Sequence, residues 1–145
     1  MQRRDFLAGG TAAMLLVAGR ATGAAELAPA GTEAAIAHPI NAGSRLLFIS
    51  GQVPTDAEGN APARFSGQCR LAWRNLEAQL AAADMQLRHL VKVTVFLARS
   101  GDRRRERELR HERLAGVARP SVSVVVTGIY DEAWRIEIEA IALAG

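Results

Sequence analysis

Apolar and charged residues alternate along Trp134-Arg135-Ile136-Glu137-Ile138-Glu139-Ala140-Ile141-Ala142. A period of two predicts a half-buried β-strand, with Ile136, Ile138, Ala140 and Ala142 toward a core and Arg135, Glu137, Glu139 and Ile141 on the opposite face. Two carboxylates on one strand face repel unless solvent or a partner takes them. The simplest reading leaves them solvated, with Arg135 for company. Three further strands follow from pattern alone. The unbroken apolar run of Arg45 to Ser50 predicts a strand covered on both faces, the β-branched Leu90 to Leu97 suits a central strand, and Ser121 to Thr127 is rich in valine. Glu33 to Ala37 is a shorter extended piece, broken by His38-Pro39 because the residue before proline is pushed out of the helical region.

Between the strands the period changes. Cys69, Ala72, Trp73, Leu76, Leu80 and Ala83 recur at helical spacing and predict a one-faced helix over Ser66 to Ala83, with Trp73 in the core. Arg103 to Leu114 reads as a second helix, started by Asp102 as its N-cap. It has only Leu109 and Leu114 as apolar anchors. Its six arginines alternate with Glu106, Glu108 and Glu112, an arrangement that pairs charges three and four residues apart and predicts a solvated face, not a nucleic-acid surface. The thin anchor makes this helix the expected least stable element. Two helices on one face of a mixed sheet give an α+β single domain. The other face of the sheet is left to meet a further copy of the chain.

A chain of 145 residues has room for one domain with an adequate core. Its formal charge of +3 is concentrated at the start: Arg3, Arg4 and Arg20 against Asp5 lie in the first 25 residues, and the rest carries 15 basic and 14 acidic residues. No general polyanion partner follows. Cys69 is the only cysteine and Lys92 the only lysine. An intramolecular disulfide is therefore impossible, and His38, His89 and His111 are too scattered to suggest a metal site.

The N-terminus is a separate matter. Arg3-Arg4, an apolar stretch from Phe6 to Gly19 and the small residues Ala21 to Ala25 have the three-part build of an export signal. The apolar stretch is short of the ~20 residues that span a bilayer, which argues against a retained anchor. Arg3-Arg4-Asp5-Phe6-Leu7 resembles the twin-arginine signal. The expectation is a cleaved leader over 1–25, a mature domain over 26–145 and a periplasmic location.

Five stretches coincide with one family: Ile49-Ser-Gly-Gln-Val-Pro54, Trp73-Arg-Asn-Leu76, Val91-Lys-Val-Thr-Val-Phe-Leu97, Arg119-Pro120 ahead of a valine-rich strand, and Ile136-Glu-Ile-Glu-Ala-Ile-Ala142. From Arg45 to Ala142 the chain resembles the RidA (YjgF) family. The resemblance implies a chorismate-mutase-like α+β fold and a homotrimer whose sheets pack inward as a barrel, with a small-molecule cleft at each subunit interface. It also implies hydrolysis of a reactive imine or enamine to a carbonyl compound and ammonia, with neither metal nor cofactor. Position by position, Ser50 and Gly51 match the family's substrate-binding Ser-Gly, and Glu137 matches its water-orienting, catalytic glutamate. The arginine that clamps the substrate carboxylate falls on Val122 when the count back from Glu137 is ungapped; a three-residue insertion would place Arg119 there instead. Two functions fit this pattern: an imine or enamine deaminase, or a non-catalytic trimer that binds a small ligand in the same cleft. Loss of the clamp weakens a carboxylate substrate by ~1.5 to 3 kcal/mol.

Overall fold

The computed structural model describes residues 25–27, 35–37 and 40–145. The arginine pair, the rest of the expected leader up to residue 24, and His38 lie outside the described residues. In chain order the elements are strands β1 (Ala25–Leu27), β2 (Ala35–Ala37) and β3 (Arg45–Gln52), helix α1 (Phe65–Ala82), strand β4 (Leu90–Leu97), helix α2 (Arg103–Leu114), and strands β5 (Ser121–Val126) and β6 (Ile136–Ala144). β1 and β2 form a small antiparallel pair, and the other four strands form a mixed sheet in the order β3-β6-β4-β5. The last strand thus enters the middle of the sheet. It runs antiparallel to both β3 and β4, while β4 and β5 are parallel neighbours joined through α2, because a parallel pair needs a long crossover.

The alternation read in β6 holds. Ile136, Ile138, Ala140 and Ala142 are buried with Val93, Val95 and Leu97 of β4 and with Trp73, Leu76 and Leu80 of α1, in one cluster that also takes in Leu109 and Leu114 of α2. Both helices therefore cover the same face of the sheet. Trp73 is a core residue, 1% exposed.

Three expectations fail, each for a reason of placement. β3 is an edge strand and not one covered on both faces: Phe48 is 72% exposed on the face away from the helices, because only Ile49 and its neighbours in register meet the core. Arg135 does not keep company with Glu137. It lies one residue before β6, where the chain has not yet entered the pleat, and its guanidinium turns to the helix side, over the Phe65 ring at 5.3 Å and onto the Asp102 carboxylate, with Nε donating to Oδ2 at 3.0 Å. Asp102 consequently caps nothing with its side chain. It is buried and committed to Arg135.

Within α2 the charges divide between two roles. Arg104 and Arg105 both pair with Glu108 on the solvent side, as the spacing predicted. Glu106 instead is 1% exposed and accepts from Arg110 Nε at 2.7 Å, so a charged pair supplements the two leucines as the anchor of this helix.

Candidate functional site

The face of the sheet away from the helices is open, and the register shows which side chains share it. Glu137 stands opposite Phe96, Glu139 opposite Thr94 and Ile141 opposite Lys92; Phe48 stands opposite Ile141 on the other side. Cross-strand partners project to one face, so Phe48 and Ser50 of β3, Glu137, Glu139 and Ile141 of β6, and Lys92, Thr94 and Phe96 of β4 form one surface. On β5, Ser121 and Ser123 extend it, being paired with Lys92 and Thr94.

Between Ile49 and Gln52 the register of β3 against β6 shifts. A bulge of this kind re-aims side chains and opens the ladder locally. Gly51 occupies it. A Cβ at position 51 would collide with the Glu137 carboxylate, standing 2.6 Å from its carboxyl carbon. Glycine leaves room for the carboxylate to lie directly against the backbone of β3. The structure thus lays Glu137 against Gly51, with Ser50 next to it on the open face. Glu137 is half-buried, and among the described residues neither it nor Glu139 has an ion-pair partner. With Arg135 turned away, the solvated pair with an arginine alongside is not what the structure contains.

Two side chains of α1 hold the loops on either side of this point. Asn75 Nδ2 donates to the carbonyls of Val53 and Thr55 at 2.9 and 3.0 Å, fixing the chain as it leaves β3. Gln68, 2% exposed, donates to the carbonyls of Pro62 and Ala133 at 2.9 and 2.8 Å and accepts the Arg135 backbone N–H at 2.8 Å. Each bond replaces one with water and leaves no buried amide atom orphaned. Gln68 and Asn75 thereby tie the start of β6 and the end of β3 to α1. Only the burial of a glutamine on an otherwise apolar stripe could have marked Gln68 from sequence.

The remaining candidates lie elsewhere. Val122 pairs with Val93 and packs against the core, so within one chain it is on the opposite face of the sheet from Glu137. Arg119 is exposed in the connection before β5. Neither places a guanidinium beside Glu137 of the same chain. The open face nevertheless carries one cation that spacing had not singled out: Lys92 lines a depression of about 480 Å³ together with Phe48, Ser50, Thr94, Glu139 and Ile141. Among the described residues no three His, Cys, Asp or Glu side chains stand together as a metal site, and no helix is long and apolar enough to cross a membrane. The thiol of Cys69 is inert: burial first, and then the charge of Glu106, pushes it up to about 12.

Residues 29–144 match the family described as endoribonuclease L-PSP. Protein DfrA of Myxococcus xanthus is 32% identical over 106 residues, which cover 69% of this chain and 77% of that protein. The RutC family protein PH0854 of Pyrococcus horikoshii is 34% identical over 105 residues, covering 71% and 82%. Among solved structures, Escherichia coli TdcF with bound serine is similar at a TM-score of 0.66 and 29% identity over 73% of this chain and 85% of that one. A putative endoribonuclease of Thermotoga maritima reaches 0.65 at 31% identity, over 69% and 80%.

Proposed function

Because the chain belongs to the endoribonuclease L-PSP family, that of the RidA/YjgF proteins, we propose that it hydrolyses a small imine or enamine to a carbonyl compound and ammonia. The observation that carries this reading is the Glu137 carboxylate, half-buried, without an ionic partner and laid against Gly51. A carboxylate so placed can hold a water in hydrogen-bond reach of a carbon bound at the bulge. The water oxygen adds to the C=N carbon while Glu137 takes its proton. The same carboxylate returns that proton to nitrogen, giving a carbinolamine, and then carries the hydroxyl proton to the amino nitrogen, so that ammonia leaves as the C=O forms. No group in this sequence of steps requires a metal. Serine bound to TdcF supports a cleft of amino-acid size.

The name of the family points to RNA, but the open face has two carboxylates and one ammonium, a poor match to a phosphodiester. The cleft in this proposal is completed by neighbouring copies. Phe48 at 72% exposed and Val125 at 41% leave apolar surface on the open face that association would cover. In this proposal Val122, on β5 at the edge of the four-stranded sheet, meets a neighbour's cleft across that edge. Export from the cytoplasm is part of the proposal and rests on Arg3-Arg4-Asp5-Phe6-Leu7. Native mass spectrometry of periplasmic protein tests both points: three subunits that each begin near Ala25 are expected, and a full-length monomer would refute them.

Activity is tested by 2-keto acid release from an enzymatically generated imine, comparing wild type, Glu137→Gln, Val122→Arg and Arg119→Ala. Glu137→Gln is expected to lose about 10²- to 10⁴-fold with its assembly intact. Val122→Arg is expected to speed turnover of 2-imino acids by supplying the missing clamp. Full activity of Glu137→Gln would overturn the reading.

A further inference from the structure

On a face with two unpaired carboxylates, the position of the single ammonium is informative. Lys92 is the only lysine beside seventeen arginines. Its nearest carboxylate along the face is that of Glu139, borne by the residue opposite Thr94. Lys92 does not pair with it; Nζ donates to the neutral hydroxyl of Ser123, at 2.6 Å, and among the described residues no carboxylate lies within ion-pair distance. A half-buried ammonium with one hydroxyl partner keeps two N–H donors and its whole charge available to a ligand. The depression it lines is of small-molecule size.

The placement fixes a distance. Lys92 leans from β4 toward β5, so its ammonium is over the seam between those strands. Glu137 leans from β6 onto Gly51 of β3, over the seam at the other side of the sheet. Ser123, Thr94 and Glu139 form one cross-strand row, and the bulge at Gly51 falls between the pairs Ile49–Ala140 and Gln52–Ile138, at nearly the same height. The two groups are thus separated mainly across the strands, by two spacings, or ~10 Å.

We infer that the Lys92 depression is an anion subsite, and that the substrate is a small imine carrying a carboxylate or similar anion at its far end, several bonds from the C=N carbon. This rests on the proposed role of Glu137 and adds the class of substrate. Ser123 and Thr94 offer hydroxyls to the same anion. Thr94 and Glu139 stand between the two ends in that row, with the apolar Phe48 and Ile141 one row along, beside Lys92. A 2-imino acid with an apolar side chain leaves Lys92 unused, whereas one with a terminal carboxylate uses it.

The test is calorimetric binding of 2-oxoadipate and 2-oxohexanoate, product-type ligands of equal length that differ in the far carboxylate, to mature wild type, Lys92→Met, Lys92→Arg and Glu137→Gln. Native mass spectrometry checks that each variant assembles as wild type does. Wild type is expected to prefer 2-oxoadipate by about 10- to 100-fold, the range of one charge-assisted contact. Lys92→Met should lower that preference below about 3-fold, Lys92→Arg should keep most of it by retaining the charge, and Glu137→Gln should leave it in place. Equal binding of the two ligands by wild type, or an undiminished preference in Lys92→Met, would overturn the inference whatever the turnover. The proposed reaction is judged separately, by whether Glu137→Gln abolishes keto acid release.

Discussion

The two faces of one sheet treat charge in opposite ways. On the face under the helices, Asp102 is locked to Arg135, Glu106 to Arg110, and Glu77 to Arg113 at 2.6 Å. On the open face, among the described residues, Glu137 and Glu139 have no ionic partner, and Lys92 has only a hydroxyl. A charge shut away from water must be paired and hydrogen-bonded or it costs several kcal/mol. Under the helices Asp102 and Glu106 meet that condition within the chain, while Glu77 and Arg113 are paired in charge without a hydrogen bond between Oε1 and Nε. On the open face the charges lie where solvent reaches them, and a ligand or another copy can take water's place. The difference shows that unpaired charge, more than charge itself, marks where the fold leaves room for chemistry.

The comparison predicts a gradient of stability effects. The largest belongs to the covered face: Asp102→Ala strands the partly buried Arg135 and is expected to cost about 2 to 3 kcal/mol, read as a lower midpoint in urea unfolding with an unchanged slope. A loss under about 0.5 kcal/mol would mean that Arg135 finds water as easily as Glu137 does, and the contrast between the faces would collapse.

Next comes a dependence on pH. The thiol of Cys69 ionises near 9 when the chain is unfolded and is pushed up to about 12 by burial when folded. Above pH 9 the unfolded chain therefore binds fewer protons than the folded one, and stability falls as pH rises, by up to about 1.4 kcal/mol per unit between 9 and 12. Below pH 9 this group contributes no slope. Cys69→Ala should remove its share of the decline, and a thiol reagent at pH 8 should modify Cys69 only on unfolding. Rapid labelling of the native protein would show that the covered face is not sealed.

The smallest effects on stability are expected at the site. Glu137→Gln removes no ion pair and should change stability by less than about 0.5 kcal/mol. Gly51→Ala meets only the mobile end of Glu137, so the side chain is expected to swing aside with little cost to the fold while turnover falls with the displaced carboxylate. Circular dichroism melts beside the keto acid assay separate the two readouts. A large stability loss in Glu137→Gln would identify the carboxylate as structural.

Much of the architecture was legible because periodicity reports burial. The strand over Leu90–Leu97 has the bounds that its β-branched run predicts, and the first helix, read over Ser66 to Ala83, spans Phe65–Ala82. Around the site, Ser50, Gly51 and Glu137 were named through a resemblance, and the closeness of Gly51 to the Glu137 carboxylate became visible only in the fold. Lys92 was legible only as a compositional oddity, and Gln68 only as a polar interruption of an apolar stripe. Neither signal says what the side chain touches.

Residue pattern alone was enough for the two helices, the strands other than β1, and the inward and outward faces of β6. These depend on local period and on a pattern of neighbours. The order β3-β6-β4-β5 was decided only by the tertiary structure, and everything about the open face follows from that order. An apolar run such as Arg45 to Ser50 reads the same at the edge of a sheet as at its centre. The partner of Arg135 depends on the chain having turned toward Asp102 before the strand begins. Whether a charge is paired depends on which residues, distant in sequence, the packing brings within 4 Å; periodicity measures direction along one element and contains no information about distance between two.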